Sequence, residues 1–186
     1  FSSRLERWVR KGGKLLVIAD HTDLYDSAQN LNSFLAKFGY QIGTDAVYDR
    51  SGMPNVPATP ISMSILGRID ADGSPLPWQT GSSFASLPLG VLPLASYGPS
   101  FSEEGDYSRE NRFGPFFPRP SLRFGEHTAV AATTIGKGAM VVVLDSTPWS
   151  NFSLFKDVYT KLFRGVIHTL SLPDNLRFAG WGGLGL

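Results

Sequence analysis

The chain contains no cysteine. This excludes disulfides, thiolate metal sites and a cysteine nucleophile, while leaving the redox compartment open. Charge is also sparse. Asp, Glu, Lys and Arg make up 18% of the residues and the net charge is +1, where a soluble domain typically carries roughly 25% charged residues. The basic residues are scattered, so the concentrated face needed to displace counterions from phosphates is lacking, and nucleic acid is not expected as a partner. Long hydrophobic runs are missing as well: none approaches the ~20 residues that span a bilayer. Membrane association is therefore expected only through segments outside this chain. The first residue is Phe1 rather than Met, which suggests a piece of a longer protein whose targeting segments and first strand lie elsewhere.

What is present is enough apolar material for a core. Hydrophobic residues make up 42% of the 186, and the length fits a single domain over 1–186. Leu5, Trp8 and Val9 have helical spacing, and Gly12-Gly13 stops that helix. Residues 14–19 then read as a buried strand. Leu31, Phe34, Leu35 and Phe38 recur at i, i+3, i+4 and i+7, one apolar helical face that Asp26 or Ser27 would cap and Gly39 would end. A short strand is expected within 40–48.

Residues 51–126 differ in character. Eleven of the 13 prolines stand at 54, 57, 60, 75, 77, 88, 93, 99, 115, 118 and 120. Proline resists helix interiors and central strands, so the segment reads as a Pro/Gly-rich insertion that is mostly loop, with short strands near 62–69 and 89–97. Its aromatics argue against a floppy linker, and its polar stretch from Glu103 to Arg112 is the expected mobile tip. Regular structure resumes with a strand over 128–135, a tight turn at Gly136-Lys137-Gly138 and a strand over 139–144, which together make an antiparallel hairpin. A long helix is expected over 152–170, with Phe155, Val158, Tyr159, Leu162, Phe163, Val166, Ile167 and Leu170 as its apolar stripe. The fold class that follows is α/β, three-layered, around a mixed and mostly parallel sheet.

Two polar clusters close two apolar runs: Asp20, His21, Thr22 and Asp23 after the first, and Asp145, Ser146 and Thr147 after the last. Loops at the carboxyl ends of strands form the ligand crevice of open α/β sheets. If the two strands are parallel neighbours, these residues, with Asn151 beyond them, share one ligand-binding cleft. Alternative chemistry is weaker. Carboxylates with a neutral imidazole suit a metal, which would make a metal-assisted hydrolase of Asp20, His21, Asp23 and Asp145. The plainer role for such residues is to accept loop and helix amides, so no metal or cofactor is expected. Ser146 with His21 or His127 and Asp23 makes a triad only on paper, because the Gly-x-Ser-x-Gly elbow is missing. His168 reads as a helix-flank residue. No catalytic residue is expected.

Gly12-Gly13 with the strand to Asp20, the helix ending at Phe38-Gly39, and the block Gly136-Lys137-Gly138, apolar strand, Asp145-Ser146-Thr147-Pro148 and Asn151 resemble the class I glutamine-amidotransferase-like, flavodoxin-like fold. The likeness covers about the first 50 and last 45 residues at ordinary element lengths. It is to the cysteine-less branch found in gliding-motility and intraflagellar-transport proteins and in bacterial membrane-associated proteins. That resemblance implies a non-catalytic ligand-binding or assembly domain of a larger bacterial envelope-associated protein, with a periplasmic or extracytoplasmic location. The partner would be a small polar ligand or another protein. A hydrolase acting on a polar substrate such as a carbohydrate, and an interaction scaffold built on the insertion's aromatics, are the alternatives.

Overall fold

The computed structural model describes residues 2–53, 56, 58–60, 76, 78, 80–105, 120–151, 153 and 155–172. Its elements run α1 (Ser2–Arg10), β1 (Lys14–Ile18), α2 (Ser27–Leu35), β2 (Gln41–Ile42), β3 (Asp45–Tyr48), β4 (Thr59–Pro60), β5 (Phe84–Ser86), β6 (Leu92–Glu104), β7 (Arg123–Ile135), β8 (Gly138–Val143) and α3 (Asp157–Ser171). Six strands make the main sheet in the order β1-β8-β7-β6-β3, with β4 also paired to β6, while β2 and β5 form a small second ladder.

The central strand β8 explains the layering. Side chains alternate across a strand. Val141 and Val143 enter one core with Leu94, Val130, Leu162 and Val166, and Met140, Val142 and Leu144 enter another with Val9, Val17, Leu35 and Ile42. Helix α3 thus covers one face and α1 and α2 the other. A run apolar at every position is what a strand buried on both faces requires. The approach of α1 to β8 is close: a Cβ on Gly138 would lie 1.9 Å from the Val9 carbonyl oxygen, so only glycine fits there.

The α/β class, the mixed sheet and the hairpin at Gly136-Lys137 are as the sequence leads one to expect. The balance within the sheet is different: β1 and β8 are parallel, and the pairs β3–β6, β4–β6, β6–β7 and β7–β8 are antiparallel. The reason is connectivity. The tight Gly136-Lys137 turn makes β7 and β8 antiparallel, while a parallel pair such as β1 and β8 needs a crossover, which the chain between them supplies.

Several boundaries also move. The strand expected within 40–48 is two strands in two sheets. Strand β6 runs on to Glu104, so Glu103 and Glu104 belong to the sheet rather than to a mobile tip, and β7 begins before His127. Prolines hid this length, because Pro93 and Pro99 both sit at register irregularities, where a missing amide costs least. The last helix starts at Asp157, and Asn151 does not open it: Thr147–Trp149 form a 3-10 turn first. Tyr159, Leu162, Val166 and Leu170 are buried, but Phe155, Phe163 and Ile167 face solvent, since a stripe that wide exceeds what one helix face can press onto a sheet. Asp26 stands at the N-cap of α2 without a capping side-chain bond. The strand expected near 62–69, the rest of the polar stretch from 106 to 112 and the Gly-rich tail after 172 lie outside the described residues. Among the described residues no helix is long and apolar enough to cross a membrane.

Candidate functional site

The parallel ladder of β1 on β8 pairs Ile18 with Val143 and is extended by the Ala19 amide donating to the Val143 carbonyl at 2.9 Å. Both strands therefore end level and point the same way, and their polar clusters meet. The Ser146 hydroxyl donates to Asp20 Oδ2 at 2.6 Å. Asp20 Oδ1 accepts the His21 amide at 2.9 Å and lies 3.4 Å from His21 Nε2. His21 Nδ1 and Thr22 Oγ1 are 2.8 Å apart. Asp145 is fully buried, and its Oδ1 accepts the Thr147 amide at 2.8 Å, the local turn bond that short acidic side chains make.

Two of the expected residues do not join them. Asp23 turns toward α2, where its carboxylate accepts the Gln29 backbone amide and side-chain NH2; in effect it caps α2 from outside the normal cap position. Asn151 is exposed. His127 sits on β7 against Ser100, with Nδ1 2.9 Å from the hydroxyl, and His168 is exposed in the last turn of α3. The paper triad is thus not assembled. Among the described residues no group of three or more His, Cys, Asp or Glu is arranged to hold a metal ion.

The loop after β1 has unusual backbone. Thr22, Asp23, Tyr25 and Asp26 all have positive φ, from 48° to 58°, a region costly for residues with a Cβ and especially for a β-branched or aromatic one. The surroundings hold it there: the Thr22 amide donates to the Asp45 carbonyl at 2.9 Å, and the Asp26 amide donates to the Asp23 carbonyl at 2.8 Å. Strained backbone of this kind gathers at sites where geometry is enforced by the rest of the fold.

Residues beyond the expected set complete the site. Strand β3, paired on β6, brings Asp45 to the loop after β1, where its carbonyl accepts the Thr22 amide. Asp45 is fully buried. Its carboxylate accepts the Ser83 amide at 2.9 Å, the Ser83 hydroxyl at 2.5 Å, the Ser102 hydroxyl, and Arg123 Nη2 at 3.1 Å. A buried charge is tolerable only when paired and fully hydrogen-bonded, and this one is. Tyr97 lies between the clusters. Burial, and then Asp145, Asp45 and Asp20, push its hydroxyl well above the usual phenol range, so it stays protonated. Trp78 packs against it edge-on with ring centroids 6.3 Å apart. The Trp78 indole opposes that rise in part.

Electrostatics favour neutral histidines. Burial lowers the pKa of His21, and Asp20 opposes this only in part. Burial likewise lowers that of His127, with Asp45 raising it and Arg123 lowering it. Sequence reasoning located the strand ends but missed Asp45, Tyr97 and Arg123. Asp45 stood inside a segment read as one strand, and Tyr97 and Arg123 fell in the Pro-rich insertion.

No family model matches the chain, and no curated protein sequence does. Its fold is similar to solved structures. The N-terminal domain of mmIFT52 superposes with a TM-score of 0.65 at 16% identity, over 93% of this chain and 71% of that one. A cytoplasmic protein of Salmonella typhimurium LT2 gives 0.58 at 17% identity, over 91% of this chain and 60% of its own. A second cytoplasmic protein of Salmonella typhimurium gives 0.56 at 11% identity, over 91% and 59%. The chain thus spans about three fifths of the two Salmonella proteins, and at these identities the likeness is one of fold.

Proposed function

We propose that the chain is a non-catalytic ligand-binding or assembly domain of the class I glutamine-amidotransferase-like kind, working as part of a larger envelope-associated protein. One observation carries this reading: Ser146 donates its proton to Asp20 rather than to a histidine. A serine nucleophile needs a base at hydrogen-bond distance and a third group to orient that base. Here His21 faces Thr22 and Asp20, and His127 faces Ser100. What the strand ends offer is a polar cluster of hydroxyls, carboxylates and an uncharged imidazole, suited to a small polar ligand.

The metal-assisted hydrolase loses one of its four ligands with Asp23 turned to Gln29. The scaffold reading draws on the exposed Tyr25, Leu89 and Phe124, three apolar side chains that a partner surface could cover. The purified protein should show no glutaminase or esterase turnover. Titration with Mn2+ should give no saturable heat that Asp145→Ala removes, and the protein should not self-associate as its concentration rises. Hydrolysis tied to mutation-sensitive metal binding would replace the reading with the hydrolase, and association without any small ligand would replace it with the scaffold.

A further inference from the structure

A second polar cavity of about 430 Å3 opens between α2, the β2–β5 ladder and the ends of β6 and β7. None of the residues of the two strand-end loops lines it; Arg123, the cation on Asp45, is the one residue it has in common with the cluster beside them. Gln29, Asn32, Gln41, Thr44, Glu104 and Arg123 supply its polar wall. Its volume falls in the range of small-molecule sites, roughly 300–1,000 Å3.

The register explains how opposite charges come to share it. Glu104 is opposite Asp45 in the β3–β6 pair, and Arg123 is opposite Ser102 in the β6–β7 pair. Ser102 and Glu104 are two apart on one strand and so lie on the same face. Arg123 is fixed on one side only: Nη2 donates to Asp45 Oδ2 at 3.1 Å and to Ser102 Oγ at 3.2 Å. Guanidinium has five N–H donors, and those on Nε and Nη1 have no partner among the described residues. The Glu104 carboxylate and the Gln41 amide have none either. Asn32 is locked to the Ile42 backbone through both its amide nitrogen and its oxygen, at 2.9 and 2.7 Å, so that wall is rigid. A buried carboxylate thus holds an arginine in place while the rest of its fork remains available. This is the preorganisation that lowers the entropic cost of binding a carboxylate.

We propose that this cavity binds a small zwitterion, an amino acid or dipeptide, with its carboxylate on Arg123 and its ammonium on Glu104. Gln41 and Thr44 supply neutral hydrogen bonds between the two ends. The proposal does not depend on the strand-end cleft having any ligand.

Calorimetric titration of the whole chain with L-alanyl-L-alanine tests it. N-acetyl-L-alanine, which lacks the ammonium, and L-alaninamide, which lacks the carboxylate, are the controls. The dipeptide should bind at least about tenfold more tightly than either control, since each charge-assisted contact carries about that much. Glu104→Gln removes an exposed carboxylate without touching Asp45. It should bring dipeptide affinity down to that of N-acetyl-L-alanine, while Arg123→Gln should abolish binding of both. Arg123→Gln also strips a buried carboxylate of its cation, so a folded far-ultraviolet spectrum is required before its result counts, and Glu104→Gln decides the matter without it. Absence of saturable dipeptide binding up to about 10 mM, or an affinity unchanged by Glu104→Gln, overturns the proposal.

Discussion

Ser146 and Asp20 are 126 residues apart in the chain, yet their side chains meet at 2.6 Å. The bond exists because β1 and β8 run parallel in register, and it ties the loops at their two carboxyl ends together. A hydrogen bond to a charged acceptor contributes roughly 1.5–3 kcal/mol. Ser146→Ala and Asp20→Asn should each destabilise the fold. In a double-mutant cycle read by urea unfolding, the pair should show a coupling of about 0.5–3 kcal/mol. Strict additivity would mean that the two loops stand apart in solution.

Asp45 is the most consequential polar residue outside the expected site. Asp45→Ala would leave Arg123, Ser83 and Ser102 facing a buried gap. The Arg123 side chain is 48% exposed and can turn to solvent, so the cost comes from the buried Ser83 and Ser102 donors left without an acceptor, about 1–3 kcal/mol. Chemical denaturation should show a loss of that size. A loss below about 1 kcal/mol, the value of an exposed pair, would place the cluster in solvent.

Buried His21 and half-buried His127 set a pH dependence. Burial lowers the pKa of both His21 and His127 from 6.5. Between that value and the lower folded-state value the unfolded chain binds more protons than the folded one, so stability rises with pH. The contribution is present above about 6.5 and is lost as the pH falls toward the folded-state values. Urea midpoints should therefore drop between about pH 7 and pH 5. His21→Gln and His127→Gln should each flatten the slope, and a slope unchanged in both variants contradicts the burial argument.

Tyr25 has φ of 53° and is 91% exposed, so its side chain gains little from packing while its backbone is strained. Tyr25→Gly should raise the melting temperature, by the equivalent of about 1 kcal/mol, because relief of a left-handed non-glycine residue outweighs the added unfolded-state entropy. A fall in melting temperature would show that the loop is not held in this conformation.

The apolar stripe expected over 152–170 divides into true core and exposed positions. Leu162→Ala should cost about 2–5 kcal/mol. Phe155→Ala, at a side chain 83% exposed, should stay within about 0.5 kcal/mol. Thermal unfolding of the two variants distinguishes them.

Local spacing alone was sufficient for α1, β1, α2, the Gly136-Lys137 hairpin and the buried face of α3, because each depends on residues within a few positions of one another. It also located the Asp20 and Asp145 clusters, since a polar break after an apolar run marks a strand end whatever the strand pairs with. Long-range pairing decided the rest. Asp45 collects Ser83, Ser102 and Arg123 from 38, 57 and 78 residues away, and nothing local in the chain marks that convergence. The same holds for Asp23 leaving the cleft to serve α2, and for prolines that read as strand breakers but sit at the irregular points of a 13-residue strand. A side chain's partners are set by which strands lie side by side, and in this fold the sheet order sets them, not proximity in sequence.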